Sequence, residues 1–229
     1  NFGNVIRLTS LHSLIFIALT LTSLAQPSGG PYGPIPQSYT LPDTEGTIFY
    51  VAPDGKPEHD GTSFERPTTL EKAIEHAETG DAVILRGGTY RTGNLVLNQG
   101  ITLQPWNDEL PVLKGTYEAT VWKDLGNGLW TTRWEYLFPE QPQSWWRRER
   151  SGKTTPLHRF NNDMVFIDGK FLQSAGWEGE VDENTFYIDY TTGTVYIGQD
   201  PADHLVEITA FDVCLHRITG EVNGRAYDG

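Results

Sequence analysis

The chain has 229 residues, of which 30 are acidic and 17 are basic, so its formal net charge is −13. Nucleic acids and anionic membranes bind basic surfaces, and this charge therefore argues against both as partners. A strongly polyanionic substrate is also disfavoured unless cations bridge it to the protein. Cys214 is the single cysteine, which excludes an internal disulfide bond. It lies between apolar residues, and we interpret it as a small buried side chain rather than a nucleophile.

Residues 1–25 have the pattern of a secretory signal. Arg7 is their only Lys, Arg, Asp or Glu, an apolar run covers Leu14 to Leu21, and Ser23-Leu24-Ala25 matches a small-x-small cleavage site. The apolar run is too short to cross a bilayer comfortably. Residues 26–46 are rich in proline and glycine and predict a linker. We therefore expect export to a secreted, periplasmic or cell-surface location, without further membrane association.

Residues 47–115 predict a strand at Ile48–Val51 and then one amphipathic helix. Thr68 and Glu71 have the spacing of a capping box, in which each side chain bonds the other residue's backbone N–H. Thr79-Gly80 predicts the end of the helix. Apolar residues recur at helical spacing along one face: Leu70, Ala73, Ile74 and Ala77. Such a face needs an apolar surface to cover, and the end of a stack of short strands is such a surface.

Short apolar runs separated by Gly or Asn follow the helix, at 82–85, 95–97, 101–104 and 111–114. Strands this short are not stable alone, so each must stack on a neighbouring winding of the chain. Ile84 and Thr102 are separated by about one such winding. Gly87-Gly88 lacks the Lys-Ser/Thr and the helix of a phosphate loop, and predicts a tight corner.

Four segments of this region resemble the N-terminal part of secreted right-handed parallel β-helix proteins of the pectate-lyase-like superfamily. They are Tyr50-Val51-Ala52-Pro53-Asp54-Gly55, residues 60–67, residues 70–74 and residues 80–90. The superfamily includes polysaccharide lyases and glycoside hydrolases. The resemblance covers about a third of the chain. It implies an all-β fold, a right-handed parallel β-helix whose first windings are capped by a helix. The matching residues are structural, so the resemblance assigns no catalytic residue to any position here.

In residues 116–204 the short apolar runs no longer recur at regular spacing. The segment is too long for a loop without secondary structure, so it predicts an inserted antiparallel β-subdomain. Asp168-Gly169 between two apolar runs predicts a two-residue hairpin within 164–173. Residues 185–198 predict a second hairpin, and 119–122 and 129–134 predict further strands. Some β-helix glycoside hydrolases carry a comparable insertion.

Residues 205–229 are interpreted as resumed windings of the β-helix, with strands at Val206–Thr209 and Leu215–Ile218. Glu221 to Gly224 would begin the following winding. We therefore expect the chain to be incomplete, the N-terminal fragment of a longer protein.

Ser144 to Arg150 is the most unusual segment. Trp145 and Trp146 offer aromatic faces that stack on sugar rings, and Arg147 and Arg148 can bond hydroxyls or carboxylates. Within a loop of the insertion, these four residues predict a sugar contact beside a groove. The alternative is that the Trp rings pack the insertion onto the windings, with the Arg stems covering them.

No catalytic residue and no metal ligand is assigned. Asp54, Glu58, His59 and Asp60 crowd the first turn, but a calcium site needs several converging oxygens and no repeated Gly-Asp spacing is present. We interpret them as turn residues, expect no cofactor and leave calcium open. Asp212, near His216-Arg217, could be one of the two carboxyls that a glycosidase needs, but nothing identifies its partner. A solvated or turn-capping role is the interpretation we adopt.

These observations favour an exported, monomeric, carbohydrate-active protein, a glycoside hydrolase acting on extracellular polysaccharide. Its catalytic residues are expected on windings outside this chain, so that the chain alone is inactive. One alternative is a calcium-dependent polysaccharide lyase. The other, from a different class, is a non-catalytic surface protein that binds glycan.

Overall fold

The computed structural model describes residues 38–97, 99–138, 155–217, 220–222 and 225–227. Strands dominate these residues, which contain one α-helix and two short 3-10 helices, at Leu157–Phe160 and Glu178–Glu180. The expected all-β class is therefore confirmed. No helix in these ranges is both long and apolar enough to cross a membrane.

Seven strands pair in parallel and form three small sheets. β1 (Ile48–Val51), β2 (Ala82–Leu85) and β5 (Thr102–Pro105) form the first. β3 (Gly88–Arg91) pairs with β6 (Pro111–Lys114) in the second, and β4 (Leu95–Val96) pairs with β16 (Leu215–His216) in the third. The chain thus passes twice through the three sheets in the same order, with Gly88 at one corner. That glycine has φ +123°, and a Cβ there would lie 2.8 Å from the Pro53 ring.

The three parallel sheets enclose an apolar core that α1 (Leu70–His76) covers. Alternate residues of β1 point into it, so Phe49 and Val51 are buried while Tyr50 faces Phe64 and Trp106 on the outside. All four residues of the predicted helical stripe are buried. The remaining buried core residues are Val83, Leu85 and Tyr90. The helix therefore covers the stack as its apolar face predicts.

The predicted capping box is wrong by one residue. Thr69 is the N-cap, and its hydroxyl accepts a bond from the Lys72 N–H at 3.2 Å. Thr68 is fully buried and bridges in parallel with Val51, and its hydroxyl donates to the Lys56 carbonyl at 3.3 Å rather than capping the helix. Glu71 does not take part in the cap, and its carboxylate accepts a hydrogen bond from the Thr92 hydroxyl instead.

Between β6 and β16 the chain forms two antiparallel-rich sheets. Their strands are β7 (Thr116–Glu118), β8 (Lys123–Asp124), β9 (Trp130–Arg133), β10 (Val165–Ile167), β11 (Lys170–Phe171), β12 (Gln173–Ser174), β13 (Thr185–Asp189), β14 (Thr194–Ile197) and β15 (Val206–Thr209). One sheet has the order β11-β10-β15-β7 and the other β12-β13-β14-β9-β8. Their facing sides enclose a second core, which includes Val165, Ile167, Phe186, Ile188, Val195, Ile197, Val206 and Ile208.

Both predicted hairpins are present. Asp168 and Gly169, with φ 50° and 78°, form the two-residue turn between β10 and β11. β13 pairs with β14, and Asp189 lies opposite Thr194. The strand predicted at 129–134 is β9. The strand predicted at 119–122 is wrong: the chain is irregular there, and the Trp122 Nε1–H bonds back to the Ala119 carbonyl at 2.7 Å.

Val206–Thr209 is not a strand of the resumed windings. It pairs antiparallel with β10 on one side and β7 on the other. The strand is buried on both sides, because Val206 and Ile208 face the second core while Glu207 and Thr209 are covered on the opposite face. The return to parallel pairing comes at β16. Beyond it, β17 (Gly220–Val222) and β18 (Arg225–Tyr227) pair antiparallel, unlike the expected start of a further winding.

Candidate functional site: a groove between the antiparallel sheet and the second winding

The four predicted sugar-contact residues Trp145, Trp146, Arg147 and Arg148 lie outside the described residues. Their role therefore stays a prediction.

A groove runs along the outer face of the β11-β10-β15-β7 sheet, where that face meets the end of β6 and the segment before β16. It consists of two adjoining cavities of about 400 and 320 Å³. Both cavities are lined by Met164, Thr209, Phe211 and Asp212. We call this feature the sheet–winding groove.

Strand alternation places the polar side chains of this groove. Because Val206 and Ile208 face the second core, Glu207 and Thr209 must face the other way. Glu207 lies opposite Phe166 in the pairing of β15 with β10, and Thr209 lies opposite Thr116 in the pairing with β7. The outer face of the sheet therefore presents one carboxylate, two hydroxyls and an aromatic ring to the groove.

Glu207 is held by three donors at the floor of the groove. Its side chain is only 2% exposed. The Lys114 ammonium donates to Oε2 at 2.7 Å and to Oε1 at 3.0 Å. The Arg91 guanidinium donates to Oε1 at 3.0 Å, and so does the Thr116 hydroxyl at 3.2 Å. Lys114 and Arg91 are register partners on β6 and β3, so this cluster ties the antiparallel sheet to both windings.

Burial alone would raise the pKa of Glu207, because the charged form loses water. The hydrogen bond and charge of Lys114 outweigh that effect, together with Thr116 and Arg91, and the net pKa is lowered. Glu207 is therefore ionised at neutral pH and has no proton to donate. Its stabilising contribution is present above pH 4.5 and is lost as the pH falls through the lowered pKa.

Asp212, the candidate carboxylate of the sequence analysis, is exposed and lines both cavities of the groove. His216 and Arg217 do not join it, because they line a different cavity of about 380 Å³ with Leu97 and Gln99. Cys214 lines the groove, and burial raises the pKa of its thiol. A raised pKa opposes thiolate formation and so argues against a nucleophile, but the Cys214 side chain is half-buried and not fully buried as expected from the sequence.

Asp163 is a second buried carboxyl, and sequence reasoning missed it. Its side chain is 1% exposed and accepts bonds from the Tyr190 hydroxyl at 2.9 Å and the Phe138 N–H at 3.2 Å. Burial raises its pKa from 3.8 to about 6, against the lowering effect of those two bonds. The folded protein thus holds this proton more tightly than the unfolded chain. The resulting stabilisation is present below pH 3.8 and is lost as the pH rises through about 6.

Of the acidic residues of the first turn, Asp60 accepts a hydrogen bond within that turn. The Asp60 carboxylate accepts the Thr62 N–H at 3.1 Å, and this backbone bond lowers the pKa of Asp60. A ring nitrogen of His59 lies 3.1 Å from the Pro67 carbonyl. Within the described part of the chain, no three His, Cys, Asp or Glu side chains are placed to hold a metal ion.

No protein-family model and no curated protein sequence matches this chain. Among solved structures, the complex of XylC with xylose superposes with a TM-score of 0.58, covering 75% of this chain at 18% identity. This likeness shows a shared fold. The chain spans 33% of the length of XylC. A structure described as a glycoside hydrolase covers 74% of this chain and 47% of its own, with a TM-score of 0.45 and 13% identity, which is too weak for any argument.

Proposed function

We propose that this chain forms the first windings of a right-handed parallel β-helix in an exported, monomeric glycoside hydrolase that acts on extracellular polysaccharide. The proposal includes the boundaries predicted from the sequence for the signal and the linker. It places the catalytic residues outside the described part of the chain.

The observation that carries the proposal is the pairing of β4 with β16. Leu95 lies parallel to Leu215, although the whole antiparallel insertion separates them in the chain. Together with β1-β2-β5 and β3-β6, this supports stacked windings, each of which gives one strand to each of three faces. Such a stack presents rows of side chains at regular spacing, a geometry that suits a long glycan.

The fold shared with XylC supports a carbohydrate substrate, because that protein binds xylose. The acidic balance of the chain supports a neutral glycan over a polyanionic one.

The two buried carboxyls discussed above, Glu207 and Asp163, do not supply a catalytic acid, which is why the proposal locates catalysis elsewhere. Glycosidases need an acid and a second carboxylate on either side of the scissile bond. Glu207 is ionised and bonded by Lys114 and Arg91, so it does not meet the requirement for a general acid. Asp163 has a raised pKa, but its 1% exposure leaves no room for substrate contact.

The test is an activity assay of the protein expressed from its complete reading frame, on a panel of neutral and uronate-containing polysaccharides. We expect new reducing ends from a neutral glycan, without unsaturated sugar products and without loss of rate in a chelator. Unsaturated products that require calcium would establish the lyase alternative instead. Glycan binding without turnover, in every case, would establish a non-catalytic role and overturn the hydrolase proposal.

A further inference from the structure

We infer that the sheet–winding groove binds a neutral sugar ring and forms one wall of the glycan-binding cleft. The inference rests on the proposed function and adds to it a location, a set of contact residues and a selectivity against uronic acids.

The groove has the dimensions of a small-ligand site. Ligand cavities in proteins measure about 300–1,000 Å³, and each of the two adjoining cavities falls at the small end of that range. Because they share Met164, Thr209, Phe211 and Asp212, they form one continuous channel along the sheet. A linear saccharide needs such adjoining spaces for successive rings.

The apolar part of the lining is fixed in place by neighbouring rings. Phe211 packs edge-on against Tyr117 with the centroids 5.1 Å apart, and Gly93 lies beneath it so closely that a Cβ would meet its ring. Phe166 packs against Phe171 at 5.7 Å. Rings that are already ordered lose little entropy on binding, and their faces suit the C–H faces of a sugar.

The polar part of the lining offers partners for hydroxyl groups. The exposed Asp212 carboxylate supplies acceptor oxygens, and the Lys114 ammonium, which is 33% exposed, can offer a ligand the N–H that Glu207 does not take. The Thr116 hydroxyl donates to Glu207 and can still accept a bond, whereas the Thr209 hydroxyl already donates to the Met164 carbonyl and accepts the Met164 N–H. Glu207 is pre-oriented by the bonds from Lys114, Arg91 and Thr116, so the floor of the groove needs no rearrangement when a ligand arrives.

The charges of the lining select against uronic acids. Two carboxylates, Glu207 and Asp212, line the groove, and the two cations beside it, Lys114 and Arg91, already donate to Glu207. A uronate would add a third negative charge beside Asp212 without an unused cation to meet it. A neutral sugar brings no such cost, so charge complementarity points to an uncharged ring.

The first test titrates the full 229-residue chain with xylose and, separately, with galacturonate, and monitors binding by backbone amide NMR. We expect xylose to shift the amide signals of Gly115, Thr209 and Phe211, and galacturonate to leave them unchanged. Stronger binding of galacturonate would overturn the selectivity. The absence of shifts with both sugars, together with the kinetic result below, would overturn the site.

Two variants separate a binding site from a structural cavity. Met164 is exposed and lines both cavities, so Met164→Trp should fill the channel and abolish the xylose shifts at an unchanged melting temperature. Asp212→Asn should weaken binding about tenfold, the loss expected for one charge-assisted hydrogen bond. Glu135→Gln is the matched control, because Glu135 is exposed and lines neither cavity, and its xylose affinity should match that of the parent.

Kinetics of the protein expressed from the complete reading frame distinguish the two proposals. If the groove holds substrate, Met164→Trp and Asp212→Asn raise KM for a neutral glycan with little change in kcat, and Glu135→Gln changes neither. Hydrolysis with an unchanged KM in both groove variants would overturn the groove and leave the hydrolase proposal standing. Sugar binding that depends on the groove, without turnover of any glycan, would support the groove as a binding site and overturn the hydrolase proposal.

Discussion

Removing the Lys114 ammonium should destabilise the protein more than neutralising the carboxylate that it bonds. Glu207 is 2% exposed, whereas Lys114 is 33% exposed. In Lys114→Met, the buried Glu207 keeps its charge and loses the partner at 2.7 Å. In Glu207→Gln, Lys114 can turn towards water and Arg91 still pairs with Glu118 at 2.9 Å.

The magnitudes follow from this asymmetry. Breaking a buried ion pair by removing one partner costs about 3–5 kcal/mol. Arg91 still bonds Glu207 in Lys114→Met, so we expect the lower end, about 3 kcal/mol. For Glu207→Gln we expect about 1 kcal/mol, the net value of an ordinary hydrogen bond. The double variant leaves no buried charge without a partner. Its loss of unfolding free energy should therefore be about 2 kcal/mol smaller than the sum of the two single losses.

Urea unfolding at pH 7, followed by tryptophan fluorescence, measures these differences. For a domain of this size, about 3 kcal/mol corresponds to a melting temperature lower by roughly 6–12 °C. Lys72→Met is the matched control, because Lys72 pairs with the exposed Glu75 at the surface, and an exposed pair contributes about 0–1 kcal/mol. A smaller loss of unfolding free energy in Lys114→Met than in Glu207→Gln would refute the reasoning. It would mean that removing Lys114 does not leave a buried, unpaired charge at Glu207.

Three further outcomes are expected in the same unfolding assay. Parent stability should fall between pH 4 and 7 by on the order of 2–3 kcal/mol from Asp163 alone, and Asp163→Asn should remove that component; an unchanged pH slope would contradict the raised pKa. Thr69→Ala should cost about 1 kcal/mol through loss of the helix cap, and a neutral result would show that Thr69 is not the cap. Gly93→Ala, whose Cβ would lie 2.1 Å from the Phe211 ring, should cost about 1–3 kcal/mol. Gly100→Ala, with its nearest atom at 3.4 Å, is the control and should stay within about 0.5 kcal/mol.

Features that depend on neighbours in sequence were predictable. The turn at Asp168-Gly169 needs positive φ at both positions, which these residue types tolerate, and the structure has 50° and 78°. The stripe from Leu70 to Ala77 follows from helical spacing alone. The cap was misplaced because Thr68 and Thr69 are chemically equivalent, and only the parallel bridge from Thr68 to Val51 decides between them.

Features that depend on distant partners were not predictable. Val-Glu-Ile-Thr at 206–209 predicts a short strand, but this residue pattern does not predict whether the neighbouring strands run parallel or antiparallel to it. The charge at Glu207, between two apolar residues, was the available signal, since a carboxylate in a strand buried on both faces needs a cation. Its partners Arg91 and Lys114 lie far away in the chain, and only their register on β3 and β6 brings them together.

Two backbone hydrogen bonds at the base of the antiparallel segment hold the second pass of the chain together between β6 and β16. The N–H groups of Ala210 and Phe211 both donate to the Gly115 carbonyl, at 2.9 and 3.0 Å. The chain therefore leaves β6 and returns at almost the same point, and the corner between the second and third parallel sheets is closed as a short turn would close it. Closing a loop costs only about 0.6 kcal/mol more for each doubling of its length. The two hydrogen bonds to Gly115 and the packing of the second core therefore offset the entropy lost in closing a segment this long. The Glu207 cluster then orients the insertion over the windings, and the groove between them follows from that orientation.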